Sequence, residues 1–327
     1  MTTKILYVLV CSPGDYYLEQ TYISAFSARL HNPHISVELL TDKTTADSFG
    51  EWGAFGEVFQ SMFSRICSVD LDPSLSAVKR SRILKTGMRN FVEGDFLYVD
   101  SDTLVGPMGD RLDTLPYTLA ACADTHSAFP DHPHRMATIH LCEKIGHDVS
   151  SEPVYFNGGV MLVRDTPEND QFFSSWQRVY LEGCEKGIFQ DQPSLSLVNL
   201  RCGRPIAQLD GFWNCQIQHG VRYLKDALVV HYVCTNVGTG PQDSLFLLNN
   251  RAELQRIRQK GGMTEEVQAV VEDPFKGFAA LTQVFAGEDV YFFQTRRYKW
   301  LRKNFHKGKG SVLEFILKCW DHLTGRV

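Results

Sequence analysis

Two aspartates, Asp100 and Asp102, stand one serine apart between the apolar run Phe96–Val99 and a second short run at Leu104 and Val105. Charge at the end of a buried strand is costly unless something positive meets it. In an extended chain residues two apart point the same way, so the carboxylates can converge while Ser101 faces elsewhere. Sheets of the α/β class present ligands at the carboxyl ends of their strands, where this pair lies. Convergent carboxylates there suit a hard divalent cation, which commonly also holds substrate phosphates. The rival is a solvated turn in which Asp102 caps the following segment, and a lone D-x-D pair does not separate the two. His231, inside the apolar run 229–233, is the best placed of the eleven histidines to add a third ligand. Two carboxylates and one imidazole suit manganese better than calcium. At that position a hydrogen-bonded core histidine is the alternative.

The elements that must position these groups read as α/β. Residues 5–11 form an unbroken apolar run with β-branched and aromatic members, as in a strand buried on both faces. Ser12 to Asp15 break it, and Leu18, Tyr22, Phe26 and Leu30 follow at helical spacing before a strand at 35–42. A β–turn–α–β opening predicts a layered α/β domain. A helix is expected within 76–90, with Val78, Ile83 and Leu84 inward and bases on another side. Further strands are expected at 118–124, 154–165 and 227–233. A helix over 167–184 has Asn169 or Asp170 as its expected cap. Past residue 240 the pattern turns helical, so the expected division is a domain at 1–240 and a helical extension at 241–327.

The net charge of −5 argues against a general nucleic-acid binder. From Arg296 onward, however, nine Lys or Arg stand against two acids. Interleaved with Tyr298, Trp300 and Phe305, these bases suit an anionic membrane surface along residues 295–322. Docking on the main domain or a second subunit is the alternative. The nine cysteines are scattered with no CxxC pair, which predicts reduced thiols. The opening apolar run is too short for a secretory core, and no run reaches the ~18 residues of a membrane span. The expectation is a cytoplasmic protein, peripheral on the inner face of the membrane where the tail binds it.

The motif order YVDSD (98–102), YFNGGVMLV (155–163), FQDQPSL (189–195) and VVHY (229–232) resembles the retaining glycosyltransferases of family 8. The resemblance covers about the first 240 residues. It implies the GT-A fold, a Rossmann-like mixed sheet flanked by helices, and a UDP-sugar donor with Mn²⁺ or Mg²⁺. It assigns the metal to Asp100, Asp102 and His231, with Asp102 the more direct ligand. Arg82 would reach the donor, with Ser101 beside the metal pair. Asn157 would line the donor sugar next to Gly158 and Gly159, where missing side chains let backbone approach a ligand. Asp191 would hydrogen-bond the sugar, and Gln192 would lie opposite the leaving group. Glutamine is a poor nucleophile, so the resemblance favours front-face attack over two displacements. Asp191 remains open as nucleophile, or as a helix cap. Lys79 and Lys85 share that basic helix, with a solvated flank as an equal reading for each.

The implied activity is transfer of a hexose to a glycan or glycolipid with retention, in cell-surface polysaccharide or lipopolysaccharide assembly. The alternatives are an inverting GT-A enzyme with Asp191 as base, and a non-catalytic nucleotide-sugar-binding protein. A nucleotidyltransferase would carry a Gly-rich basic loop after the first strand, which SPGDYYLEQ lacks. Two departures stand out: the family's K-P-W triplet is missing after His231-Tyr232, and FNGG replaces a commoner pairing of a small residue with glycine. His126, His132, His134 and His140, with Asp124 and Asp131, match no standard zinc set. That segment is expected to be a mobile loop over the acceptor side. Trp213 offers a face for sugar stacking, with buried core as the equal alternative.

Overall fold

The computed structural model describes residues 2–12, 14–220, 222–232, 248 and 250–274, and the single positions 295, 296, 298, 300 and 319. Its strands are β1 (Lys4–Leu9), β2 (Val37–Asp42), β3 (Arg65–Val69), β4 (Phe96–Val99), β5 (Thr103–Val105), β6 (Leu119–Ala123), β7 (Phe156–Val163), β8 (Ala207–Leu209), β9 (Cys215–Gln216) and β10 (Val229–His231). Seven of them form one sheet in the order β3-β2-β1-β4-β7-β6-β8. All neighbours in it are parallel except β7, which runs against both β4 and β6. The fold is thus the expected mixed α/β sheet flanked by helices.

The unbroken apolar run at β1 has its reason in two-sided burial. Ile5, Tyr7 and Leu9 pack with Tyr22, Ile23 and Phe55 on one side. Leu6, Val8 and Val10 pack with Leu84, Phe173 and Trp176 on the other. Period-2 alternation with both faces covered leaves no polar stripe in the sequence.

A second sheet has the order β5-β10-β9. β10 runs antiparallel to β5, with His231 opposite Thr103, and parallel to β9, with His231 opposite Gln216. The chain leaves the large sheet at Val99 and enters the small one at Thr103, so Asp100, Ser101 and Asp102 form the corner between them. That corner is fixed at both ends: Asp100 N–H donates to Gly159 O at 2.7 Å, and Asp102 O accepts from Tyr232 N–H at 2.9 Å.

Several local expectations are corrected. The helix Pro167–Glu185 is capped by Thr166, which accepts from Asn169 N–H at 3.3 Å, and not by Asn169 or Asp170. Pro167 forces its predecessor into the extended backbone that a cap requires. In the helix Ala77–Thr86, Val78 is 60% exposed, and Leu84 is buried together with Arg80 and Lys85. Arg80 is held by Asp42 at 2.6 Å. The segment expected as a loop contains short turns at Asp124–His126 and Phe129–Asp131, and a helix starts at Arg135. Phe129 anchors it in a small core with Cys142, Val149 and Tyr155.

The chain divides into two compact units, Met1–Ala279 and Ala280–Val327. The first continues past the expected boundary at residue 240. The helices Arg251–Lys260 and Glu265–Glu272 add Leu254, Ile257, Val267 and Val271 to the core that holds Tyr7 and Tyr22. In the second unit Tyr298 N–H donates to Thr295 Oγ1 at 3.2 Å. The tail expected to meet a membrane, 295–322, otherwise lies almost wholly outside the described residues. Among those described, no helix is long and apolar enough to cross a membrane, and the cysteines are free thiols.

Candidate active site

A cleft of about 450 Å³ opens where β1 and β4 end, and the residues that the family resemblance assigns to donor and metal line it: Arg82, Asp100, Ser101, Asp102, Asn157, Gly158, Gly159, Asp191, Gln192 and His231. They arrive from five separated stretches of chain. At the sheet corner, Asp100, Asp102 and His231 each offer a ligand atom within 4.8 Å of the others. His231 Nε2 lies 3.2 Å from Asp102 Oδ1. Burial pushes the His231 ring toward neutrality, but Asp102 and then Asp100 outweigh it and raise its pKa.

The site is also shaped for close approach. A Cβ on Gly159 would collide with His231 Cε1 and lie 2.8 Å from Asp100 Oδ2 and 2.9 Å from Asn157 Oδ1. Only glycine leaves that space open. Two oxygen ligands and one imidazole around it fit a divalent cation such as Mn²⁺ or Mg²⁺, manganese the better of the two. The Ser101 hydroxyl accepts from Thr21 Oγ1, on the helix Tyr17–His31, at 2.7 Å. The two carboxylates converge as expected, while Ser101 lines the same cleft.

A second centre forms at Asp191, the residue before the helix Gln192–Arg201. It occupies the cap position but makes no side-chain cap bond, because its carboxylate turns to Lys85 Nζ at 3.1 Å and Arg82 Nε at 3.5 Å. Its carbonyl accepts from Trp176 Nε1 at 3.2 Å and from Ser194 Oγ at 2.7 Å. Burial pushes the Asp191 carboxyl up, yet Arg82 and Lys85 together hold it well below the usual carboxylate range. The Lys85 ammonium also reaches Asp100 Oδ1 at 3.2 Å, tying the two centres together. Tyr98 donates to Asp100 as well.

Lys85 is therefore a cleft residue, only 3% exposed, whereas Lys79 does not line the cleft. Gln192 Nε2 donates to Phe156 O at 3.1 Å. Tyr17 and Gln20 line the same cleft and had no motif to mark them. Trp213 is 3% exposed within the core, so it offers no stacking face. His132 Nε2 bonds Asp124 Oδ2 at 2.9 Å, and His126 Nε2 accepts from Gln216 N–H at 2.9 Å. Among the described residues the only assembled group of metal-ligating side chains is Asp100, Asp102 and His231.

No family model matches the chain, and no curated protein matches it. Among solved structures it is similar to the galactosyltransferase LgtC in complex with donor and acceptor sugar analogs, with a TM-score of 0.48 and 15% identity over 82% of this chain and 99% of that one. It is similar to the glycosyltransferase GlyE in Streptococcus pneumoniae TIGR4, at 0.47 and 20% over 86% and 67%. A glycosyltransferase involved in the glycosylation of the major capsid of PBCV-1 follows at 0.41 and 13%, over 79% and 100%. With TM-scores below 0.5, these likenesses do not carry a reaction to this chain; its own cleft must do so.

Proposed function

We propose that this chain is a metal-dependent glycosyltransferase of the GT-A type, moving a hexose from a UDP-sugar to a hydroxyl of a glycan or glycolipid with retention of anomeric configuration. The observation that carries the reading is the convergence of one cation-ready triad and one aspartate paired to both Arg82 and Lys85 on a single cleft. The family 8 resemblance supplies the same residues in the same roles.

A divalent cation held by Asp100, Asp102 and His231 would supply Lewis-acid charge for the diphosphate of the donor. Asn157, Gly158 and Gly159 flank the triad and would admit the sugar close to backbone. Asp191 would accept hydrogen bonds from sugar hydroxyls. A carboxylate held this far below its ordinary range is a poor base near neutral pH. That favours retention over the inverting reading, in which Asp191 takes the proton of the acceptor. Gln192, tethered to the Phe156 carbonyl, offers no strong nucleophile. In the front-face course, the bond from anomeric carbon to phosphate oxygen breaks and the acceptor oxygen bonds that carbon on the same face. The acceptor proton then passes to the departing phosphate oxygen.

UDP with Mn²⁺ should raise the melting temperature, and UDP with EDTA should not. No rise with any UDP compound would overturn the donor assignment. Proton NMR of the product should show the anomeric configuration of the donor; an inverted product would return Asp191 to the role of base. The expected setting is cell-surface polysaccharide or lipopolysaccharide assembly, with 295–322 resting on an anionic membrane. Flotation of the full chain with anionic vesicles tests that tail.

A further inference from the structure

The hydrogen bonds at the triad do not stop at His231. Its Nδ1 lies 2.9 Å from Asn214 Oδ1; Asn214 Nδ2 donates to Asn157 Oδ1 at 3.0 Å; Asn157 Nδ2 donates to Asp124 Oδ1 at 2.8 Å. We propose that Asn214 is a positioning residue for the metal site: a one-way chain of hydrogen bonds anchored at Asp124 keeps the His231 ring proton on Nδ1 and leaves Nε2 as the ligand atom. This rests on the metal-dependent reading above.

The direction of the chain follows from its anchors. An ionised carboxylate only accepts. Burial pushes Asp124 up, but His132 and Asn157 outweigh it and hold it below its usual range. Asn157 must therefore turn its NH₂ toward Asp124 and its carbonyl the other way. A second anchor agrees: Gly159 N–H donates to Asn157 Oδ1 at 2.9 Å, and a backbone donor can face only the oxygen. With Asn157 Oδ1 fixed as acceptor, Asn214 must meet it with NH₂, which points Asn214 Oδ1 at His231. An amide oxygen only accepts, so Nδ1 must carry hydrogen.

Asn214 has no solvent to compensate a wrong orientation, being 0% exposed. It directly precedes β9, whose pairing with β10 fixes it beside the ring. Metal-ligating histidines ordinarily donate their other ring N–H to a fixed acceptor, and loss of that partner costs about 10–100-fold in metal affinity.

The test compares wild type, Asn214→Ala and Asn214→Asp. In metal-free protein the hydrogen-bonded Nδ1–H of His231 should give a downfield proton resonance, assigned by its loss in His231→Gln. It should persist in Asn214→Asp, which keeps an acceptor against Nδ1, and vanish in Asn214→Ala. Mn²⁺ affinity, read by electron paramagnetic resonance of the free ion, should fall about 10–100-fold in Asn214→Ala and stay near wild type in Asn214→Asp. Unchanged Mn²⁺ binding by folded Asn214→Ala would overturn the proposal, as would a wild-type ring without the Nδ1–H signal, even if the alanine variant fails to fold. If wild type bound no Mn²⁺ at all, the metal-dependent reading would fall first, and the positioning role with it.

Discussion

Replacing Lys85 by methionine keeps the length of the side chain and removes an ammonium that touches both Asp100, at 3.2 Å, and Asp191, at 3.1 Å. Breaking a buried pair from one side costs about 3–5 kcal/mol when the stranded charge has no other partner. Asp191 keeps Arg82 at 3.5 Å, and the Asp100 side chain is 24% exposed. The expected loss is accordingly lower, about 2 kcal/mol. Its pH dependence is a second signature. The folded-state pKa of Asp191 is depressed, so the stability it contributes is present above the unfolded value of 3.8 and lost as pH falls through the folded value. Without Lys85 the folded value rises toward the ordinary one and that contribution shrinks. The gap between wild type and variant should therefore be full at neutral pH and narrow as pH drops below about 4. Urea unfolding at a series of pH values reads both quantities. A variant within about 0.5 kcal/mol of wild type at neutral pH, or a gap that does not change with pH, would refute the assigned charge balance.

Gly159→Ala places a methyl against His231, Asp100 and Asn157; donor turnover should fall about 100-fold, with Mn²⁺ binding weakened in parallel by titration. Arg258 pairs with the buried Glu19, donates to Asp15 O at 3.0 Å and stacks on Trp52 at 4.1 Å. Arg258→Gln should therefore lose about 3 kcal/mol in urea unfolding, and adding Glu19→Gln should recover part of it. Burial and His219 hold His126 at about 4, against 6.5 for the free side chain, so it stays neutral while the unfolded chain takes up a proton. Stability is full above 6.5 and declines as pH falls toward about 4. His126→Asn should flatten that decline, and an unchanged slope would remove His126 as its source.

The parts of the site that follow the strand order were legible in the sequence. The carboxylates at the end of β4 and the histidine in β10 announced themselves as charge inside apolar runs, and register alone then places His231 opposite Thr103. Asn157 to Gly159 were marked by the motif at the start of β7. What stayed hidden depends on contacts between elements without a local pattern. Lys85 reads as a helix flank until Asp191, more than a hundred residues later, is folded against it. Asn214 sits in a short turn whose value lies wholly in its partners. Trp213, a plausible stacking ring by type, is core because the small sheet closes over it. The helices after residue 250 look like an extension, but Arg258 and Ile257 belong with the first helix and its core.

The central claim, that the two aspartates hold a cation on the diphosphate of a donor, is tested most directly by UDP release. Wild type and Asp102→Asn would be given a panel of UDP-hexoses, each with Mn²⁺ and with EDTA. Wild type with Mn²⁺ should release UDP from at least one hexose donor, and both EDTA and the substitution should abolish that release. Release that survives both EDTA and Asp102→Asn would contradict it.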